Sequence, residues 1–280
     1  MTIQQTSLDR RTVLGSILVG ITTGLAGCSA LSDSDDDDSS TNSSGGVLQS
    51  VAVEGLELVV ELERDAVDQL NLIDPSGELF AHQTIESGVS RTTLEIGTDY
   101  PIGEYELIGL ADEETVETTS TTLEPDLDLT ELRMGRDYPE EMYEGASDSR
   151  TEAEAILSVT NEGTGPTAVT ALRFEGDIPF PTPDDFDESG DSGIYDPEND
   201  FGADAESITI PAAETVVIYS NTRPFLPVNA RAKCDSVGED GEFIVRLFAT
   251  HEAVDLTRGY FIRYSGTDSG DCQLEIEEGA

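Results

Sequence analysis

From Val47 onward, apolar and polar residues alternate with period two. Segments 49–54, 56–63, 67–73, 78–83, 90–96, 103–110 and 115–123 each read as a strand with one face buried. Turn signals stand between several of them: Asp74-Pro75-Ser76-Gly77, Ser87-Gly88 and Pro101-Ile102-Gly103. About seven short strands at this spacing predict a β-sandwich of immunoglobulin or fibronectin type. In Gly103-Glu104-Tyr105-Glu106-Leu107, the tyrosine sits where such domains often pack one at a sheet corner.

The pattern breaks at Glu124-Pro125-Asp126 and resumes with Leu127-Asp128-Leu129. A further strand is expected from Ala155, ending in Asn161-Glu162-Gly163-Thr164-Gly165, and others at 168–174, 207–210, 214–220, 242–250, 255–264 and 272–276. Two long irregular stretches interrupt them, 176–206 and 221–241. The expected fold class is all-β: two tandem immunoglobulin-like β-sandwich domains, 47–124 and 125–280. The Pro125-Asp126-Leu127 opening and the strand ending Asn161-Glu162-Gly163-Thr164-Gly165 resemble the adhesion-type sandwiches called CARDB domains. That resemblance covers about residues 125–175 and implies a binding or spacing module.

Charge changes the picture next. Acidic residues number 59 and basic ones 14, a net charge of −45, and Lys233 is the sole lysine. The excess runs the whole length of the chain. Disorder is the alternative reading, but the carboxylates alternate with Val, Ile, Leu and Tyr as in half-buried strands. Such a surface suits molar salt, where the Debye length falls to about 3 Å and self-repulsion is screened. No basic patch exists to neutralise phosphates, so a nucleic-acid partner is not expected.

The N-terminus has a different pattern. Arg10 and Arg11 precede an apolar run through Ala26, broken by Gly15, Gly20 and Gly24. The run is too short to span a membrane and ends Leu25-Ala26-Gly27-Cys28, which reads as a signal peptide over 1–27. The paired arginines resemble a twin-arginine export signal, and the Leu-Ala-Gly-Cys end resembles a lipobox. Together they resemble the lipoproteins of halophilic archaea. The resemblance implies export in a folded state, cleavage before Cys28 and a diether lipid on its thiol, enough for stable membrane anchoring. An uncleaved anchor or plain secretion is the alternative. The polar stretch 28–46, with aspartates from Asp35 to Asp38, is expected to be a flexible linker with an r.m.s. span of about 25 Å.

With Cys28 assigned to the lipid, Cys234 and Cys272 remain. In an exported protein they are expected to form a disulfide, contributing about 4 kcal/mol by loop closure. A metal pair is the alternative, but two thiolates do not complete a zinc site.

Candidate chemistry is sparse. Gly190-Asp191-Ser192-Gly193 matches the short motif around a serine-protease nucleophile, with His82 upstream. His82 belongs to an expected strand of the other sandwich, and a triad is defined by geometry, so this reading is set aside. His251 is expected to face water at a hairpin turn. Asp196, Glu198 and Asp200 alternate like the start of a calcium loop, but Phe201 stands where that loop needs glycine and Ser207 where it needs glutamate. A solvated acidic loop is the default there. Phe180, Phe186 and Phe225 lie in proline-containing loops, and are expected to fold back over the sheets rather than form an exposed binding surface.

No catalytic, cofactor or metal residue is assigned. The expected function is a non-enzymatic, membrane-anchored extracellular lipoprotein that binds or spaces, presenting distal loops to a protein or cell-surface polymer. The alternative is an accessory lipoprotein subunit of a membrane transport or secretion complex.

Overall fold

The computed structural model describes residues 46–183, 185–186, 190–195, 197, 204–226, 240–265 and 273–279. All of them belong to one compact unit, Thr41–Ala280. Cys28, Arg10, Arg11, Asp196, Glu198, Asp200, Cys234 and Cys272 lie outside the described residues.

The first sandwich has seven strands: β1 (Leu48–Glu54), β2 (Glu57–Leu62), β3 (Gln69–Ile73), β4 (Leu79–Thr84), β5 (Arg91–Glu95), β6 (Gly103–Ala111) and β7 (Glu114–Leu123). They form one sheet of order β1-β2-β5 and another of order β4-β3-β6-β7, all antiparallel. The inward positions of each strand supply one core, including Leu58, Val60, Leu70, Leu72, Tyr105 and Leu107. Tyr105 is fully buried, and its hydroxyl donates to the Pro101 carbonyl four residues upstream at 2.8 Å. That bond makes the corner tyrosine implied by the resemblance of the Gly103–Leu107 stretch to the late strand of such domains.

The second sandwich repeats the arrangement with additions. Its strands are β8 (Leu127–Met134), β9 (Ala155–Asn161), β10 (Thr167–Gly176), β11 (Ile194–Tyr195), β12 (Ile208–Ile210), β13 (Thr215–Ser220), β14 (Asp240–Ala249), β15 (Leu256–Ser265) and β16 (Gln273–Glu278). A short helix, α1 (Asp148–Thr151), lies between β8 and β9. The sheet orders are β11-β13-β9-β8 and β12-β10-β14-β15-β16. Thus β8-β9-β13 repeats β1-β2-β5, and β10-β14-β15 repeats β3-β6-β7. A second core gathers Leu157, Val159, Leu172, Phe174, Phe225, Phe243 and Tyr264. The protein is therefore all-β, two tandem immunoglobulin-like sandwiches.

The strand directions fix where each connection lies. β7 ends at Leu123 opposite Gly103, beside the turn that carries Tyr100 and Pro101, and the chain passes at once into β8. The β9–β10 and β14–β15 turns approach this junction. The ends of β10, β13 and β15, and the starts of β14 and β16, lie at the opposite end of the second sandwich.

The junction is locked by its backbone. Thr164 and Gly165 N–H groups donate to the Glu124 carbonyl at 2.8 and 3.2 Å, and Glu162 N–H donates to that of Asp126 at 2.7 Å. Tyr100 donates its hydroxyl to the Pro166 carbonyl at 2.8 Å. The two glycines of the Asn161-to-Gly165 turn are required by this contact. A Cβ on Gly163 would lie 2.2 Å from the Glu124 carbonyl oxygen, and one on Gly165 would lie 2.1 Å from the Tyr100 hydroxyl. Asn161, fully buried, holds the turn: its Oδ1 accepts from Asp126 and Gly163 N–H, both at 3.0 Å, and its Nδ2 donates to the Gly165 and Ile210 carbonyls at 2.9 and 3.3 Å.

His251 corrects the sequence expectation. It does not face water at a free hairpin; it is half-buried between the sandwiches. Its ring lies 4.6 Å from that of Tyr100, with Nε2 at 2.9 Å from the Tyr100 carbonyl and Nδ1 at 3.1 Å from Thr167 Oγ1. A carbonyl only accepts, so Nε2 carries a proton, and in the neutral ring Nδ1 accepts from the threonine.

Buried tyrosines tie stability to alkaline pH. Burial pushes the Tyr105, Tyr260 and Tyr264 phenols up to about 12, and moves Tyr100 and Tyr143 up as well. The neutral phenol is favoured in the fold, so its contribution is complete below the ordinary value of about 10 and is lost as pH rises toward 12. Steep alkaline unfolding across that window is expected, with tyrosinate absorbance appearing in the same transition. Ionisation near the ordinary value with unchanged circular dichroism would count against it.

Candidate functional site

The end of the second sandwich away from the junction carries its unusual connections, and three segments there fold back onto strands. Residues 135–154 cover the distal part of the outer face of the β11-β13-β9-β8 sheet, around Tyr195, Tyr219 and Arg133. Tyr143 stacks on Tyr195 at 3.9 Å and meets Tyr219 edge-on at 5.2 Å, while the Tyr219 hydroxyl donates to the Glu141 carbonyl. Under this cover Glu154 is completely buried. Arg150 Nη1 donates to Glu154 Oε1 at 2.7 Å, and the Tyr143 hydroxyl donates to Oε2 at 3.0 Å. Burial outweighs these partners and holds the Glu154 carboxyl above the ordinary range. The Arg150 guanidinium also lies 5.0 Å from the Tyr195 ring.

The second segment contains Gly190-Asp191-Ser192-Gly193. It covers the free edge of β10 beyond β12. Leu172 N–H and Arg173 Nη1 both donate to the Ser192 carbonyl at 2.8 Å. Ser192 Oγ accepts from Ile194 N–H at 3.1 Å. Gly193 has φ +76°, and a Cβ there would sit 2.5 Å from the Leu172 carbonyl, so glycine is needed for the close approach. His82 lies on β4 of the first sandwich opposite Asn71, and His251 is committed to the junction. Neither ring hydrogen-bonds Ser192, so the structure brings no Ser–His pair together there.

The third segment is stapled by Phe225. Its N–H donates to the Ala153 carbonyl at 3.0 Å, its carbonyl accepts from Arg136, and its ring packs against Phe174 and Phe243. The three loop phenylalanines thus divide. Phe225 is buried, Phe186 is half-buried with Arg173 4.4 Å from its ring, and Phe180 is 42% exposed, contrary to the expectation that all fold back. The β10 edge at Phe174 is taken by Thr182, which exchanges hydrogen bonds with the Phe174 backbone, while Phe180 is held through its N–H, which donates to the Pro224 carbonyl at 3.2 Å.

Between the second segment and β10 lies a cleft of 380 Å³ bounded by Thr170, Arg173, Asp191, Ser192, Asp204 and Glu206. Burial raises the Asp204 carboxyl, Asn221 donation opposes the rise, and the neighbouring Asp191 carboxylate adds to it. Arg173 donates to the Leu172, Ser192 and Asp191 carbonyls from the same wall. The cleft therefore offers carboxylate and hydroxyl oxygens beside a held guanidinium, which suits hydrogen bonding to a polar ligand. Among the described residues no group of three or more His, Cys, Asp or Glu is placed to hold a metal ion, and no helix is long and apolar enough to cross a membrane. The 135–154 cover and the role of His251 had no sequence signal. The glycines at 163 and 165 did, as the turn motif.

No protein-family model matches the chain, and no curated protein matches it. Among solved structures it is similar to a two-domain fibronectin type-III segment of chicken tenascin, 12% identical, with 82% of this chain and 97% of that one covered at a TM-score of 0.25. It is also similar to a β-glucuronidase of glycoside hydrolase family 2, 14% identical, with 80% of this chain covered at a TM-score of 0.28. The chain spans only 20% of the length of that enzyme. The human OSCAR ligand-binding domain is similar at 10% identity and a TM-score of 0.20, with 81% of this chain and 92% of that one covered. At these values the strand order of the protein itself describes its fold.

Proposed function

We propose that the protein is a membrane-anchored extracellular lipoprotein, non-enzymatic, that spaces its second sandwich from the membrane and presents that sandwich's distal loops to a protein or cell-surface polymer. The observation that carries this reading is the locked junction. β1 starts at the end of the first sandwich away from the junction, and the long connections of the second sandwich emerge at its end away from the junction. A chain anchored at Cys28 thus holds these loops farthest from its anchor. Leu48 N–H, at the first strand, donates to Glu117 Oε2 at 2.8 Å, which secures the fold where the linker enters it.

Cys234 and Cys272 fit the same reading as a disulfide. β14 and β16 both start at the distal end, with β15 alone between them, and each cysteine lies just upstream of one of those starts. The bond would close the connections that carry the loops.

Mass spectrometry of the protein from membranes of its native host tests the anchor. The expected result is an N-terminal peptide beginning at Cys28 with two alkyl chains, a Cys234–Cys272 linkage in the non-reduced digest, and release of Cys28→Ser from the membrane fraction. An unmodified Cys28, or a Cys28→Ser variant that stays with the membrane, would overturn the anchor. Affinity recovery in molar salt with one stoichiometric integral complex would instead favour the accessory-subunit alternative.

A further inference from the structure

We infer that the outer face of the β12-β10-β14-β15-β16 sheet carries a saccharide-binding site, built on Gly259 and Phe261 of β15. Tyr260, Ile262 and Tyr264 of that strand point into the core. Gly259, Phe261 and Arg263 therefore face outward.

The first observation is a glycine that its own chain does not explain. Five glycines stand in described strands: Gly103, Gly109, Gly176, Gly241 and Gly259. Gly103 and Gly176 have φ +144° and +110°. A Cβ on Gly109 would press on Val67 at 3.1 Å, and one on Gly241 would meet Asp177 Cβ at 2.7 Å. Gly259 has neither cause. Its φ is not left-handed, its pairing with Ile244 is regular, and nothing lies within 4 Å of the place its Cβ would take. A glycine weakens a strand interior, and it often marks a place where a ligand or another backbone comes close. Here the space it leaves opens outward.

The second observation is what surrounds that space. Phe261 and Ile244 flank Gly259 and are 44% and 38% exposed. Gly279 lies beside Gly259, with its N–H donating to the Gly259 carbonyl at 2.9 Å, and extends the bare floor. Phe261 stands between Glu242 of β14 and Glu277 of β16. Beyond it, toward Arg263, lies a hollow of 160 Å³ lined by Asp240, Phe261, Arg263, Glu275 and Glu277. Arg263 is paired with Asp240 at 2.9 Å, and Arg246, on the other side of the floor, with Glu175 at 3.5 Å. An exposed ring and a flat floor are thus rimmed by both donors and acceptors.

The occupant follows from that rim. An anionic polymer would meet Glu242 and Glu277 beside the ring, and a cationic one would meet Arg246 and Arg263. A hydroxyl both donates and accepts, so a neutral sugar satisfies both signs. Its C–H face carries slight positive charge and suits the negative face of a phenyl ring. Molar salt favours the same class. It screens ionic contacts at an exposed face beyond about 3 Å, while apolar contact persists. The face is separate from the distal loops, and binding there needs no lipid on Cys28, so this site and the anchoring proposed above fail independently.

The test uses the full-length chain in molar salt and three immobilised neutral polymers: cellulose, mannan and galactan. Retention by at least one is expected, undiminished as the salt is raised. Phe261→Ala should weaken it about tenfold or more, the scale on which a lost aromatic stacking partner is felt. Gly259→Val should abolish it by filling the floor. The same variant should unfold at least as high in temperature as the parent, since the new side chain has open space and valine is the better strand former. Binding and stability moving apart in this way separates a ligand floor from a structural glycine. Glu242→Gln combined with Glu277→Gln keeps two oxygen acceptors and should retain most of the binding. Oligoarginine run in parallel reports purely ionic docking. Capture of that peptide alone, lost in the double glutamine variant, overturns the saccharide site. So does retention by none of the three polymers, or retention indifferent to both Phe261→Ala and Gly259→Val.

Discussion

Asn161→Ala is expected to destabilise the protein by about 3–5 kcal/mol and to free the two sandwiches from each other. The side chain is fully buried and serves four backbone groups: the N–H of Asp126 and Gly163, and the carbonyls of Gly165 and Ile210. Alanine leaves the two donors without an acceptor, each costing about 1–3 kcal/mol when it stays buried. Those donors belong to the linker and to the turn that grips it, so the loss falls on the junction first. Denaturant unfolding of the parent in molar salt should therefore resolve fewer steps than that of the variant, whose sandwiches unfold separately. Asn161→Asp retains Oδ1 but turns a second carboxylate oxygen toward two carbonyls, and should do no better. A variant with the parent's midpoint and the parent's cooperativity would remove Asn161 from the account.

Arg150→Met should cost a similar amount, about 3–5 kcal/mol near neutral pH, because it strands the Glu154 carboxylate in the interior. Glu154 has no exposed side-chain area, while Arg150 keeps 23% of its own. The sign with pH is distinctive. Burial already holds the Glu154 carboxyl above its ordinary range, so its contribution to stability is complete below the unfolded value and is lost as pH rises through the folded one. Removing Arg150 raises that folded value further. The deficit of the variant should accordingly be smallest in acid and grow toward neutrality, measured by thermal unfolding across that range. Arg150→Met combined with Glu154→Leu should recover most of the loss, since the buried charge goes with its partner. A deficit independent of pH, or undiminished in the double variant, would show that packing of Arg150 on Tyr195 matters more than its charge.

The strands were legible because each has one wet face and one dry face, and alternation records that directly. β6 and β14 show it residue by residue in their burial. β8 was legible only to Leu129, because the bulge before Glu131 shifts the alternation and Arg133 faces outward under the 135–154 cover. β11 is two residues in an acidic, glycine-containing stretch, too short to show any period. The fate of His251 was hidden for another reason. Its partners, Tyr100 and Thr167, lie 151 and 84 positions away, and local pattern says nothing about a neighbour from the other sandwich. The Gly-Asp-Ser-Gly motif was visible but chemically misleading: its second glycine answers to a backbone approach, not to a nucleophile. The junction left one sequence trace, the Asn-x-Gly-x-Gly turn, in which every fixed residue is explained by the linker and the Tyr100 hydroxyl pressed against it.

The account rests most on that junction, because a spacer must hold its far loops in place. Spin labels carried by non-cysteine side chains at Leu79 and Val217, exposed by 56% and 46% on separate sandwiches, measure it directly in molar salt. A single narrow distance, broadened by Asn161→Ala, is the predicted result. A broad distribution in the parent, unchanged by that substitution, would contradict it.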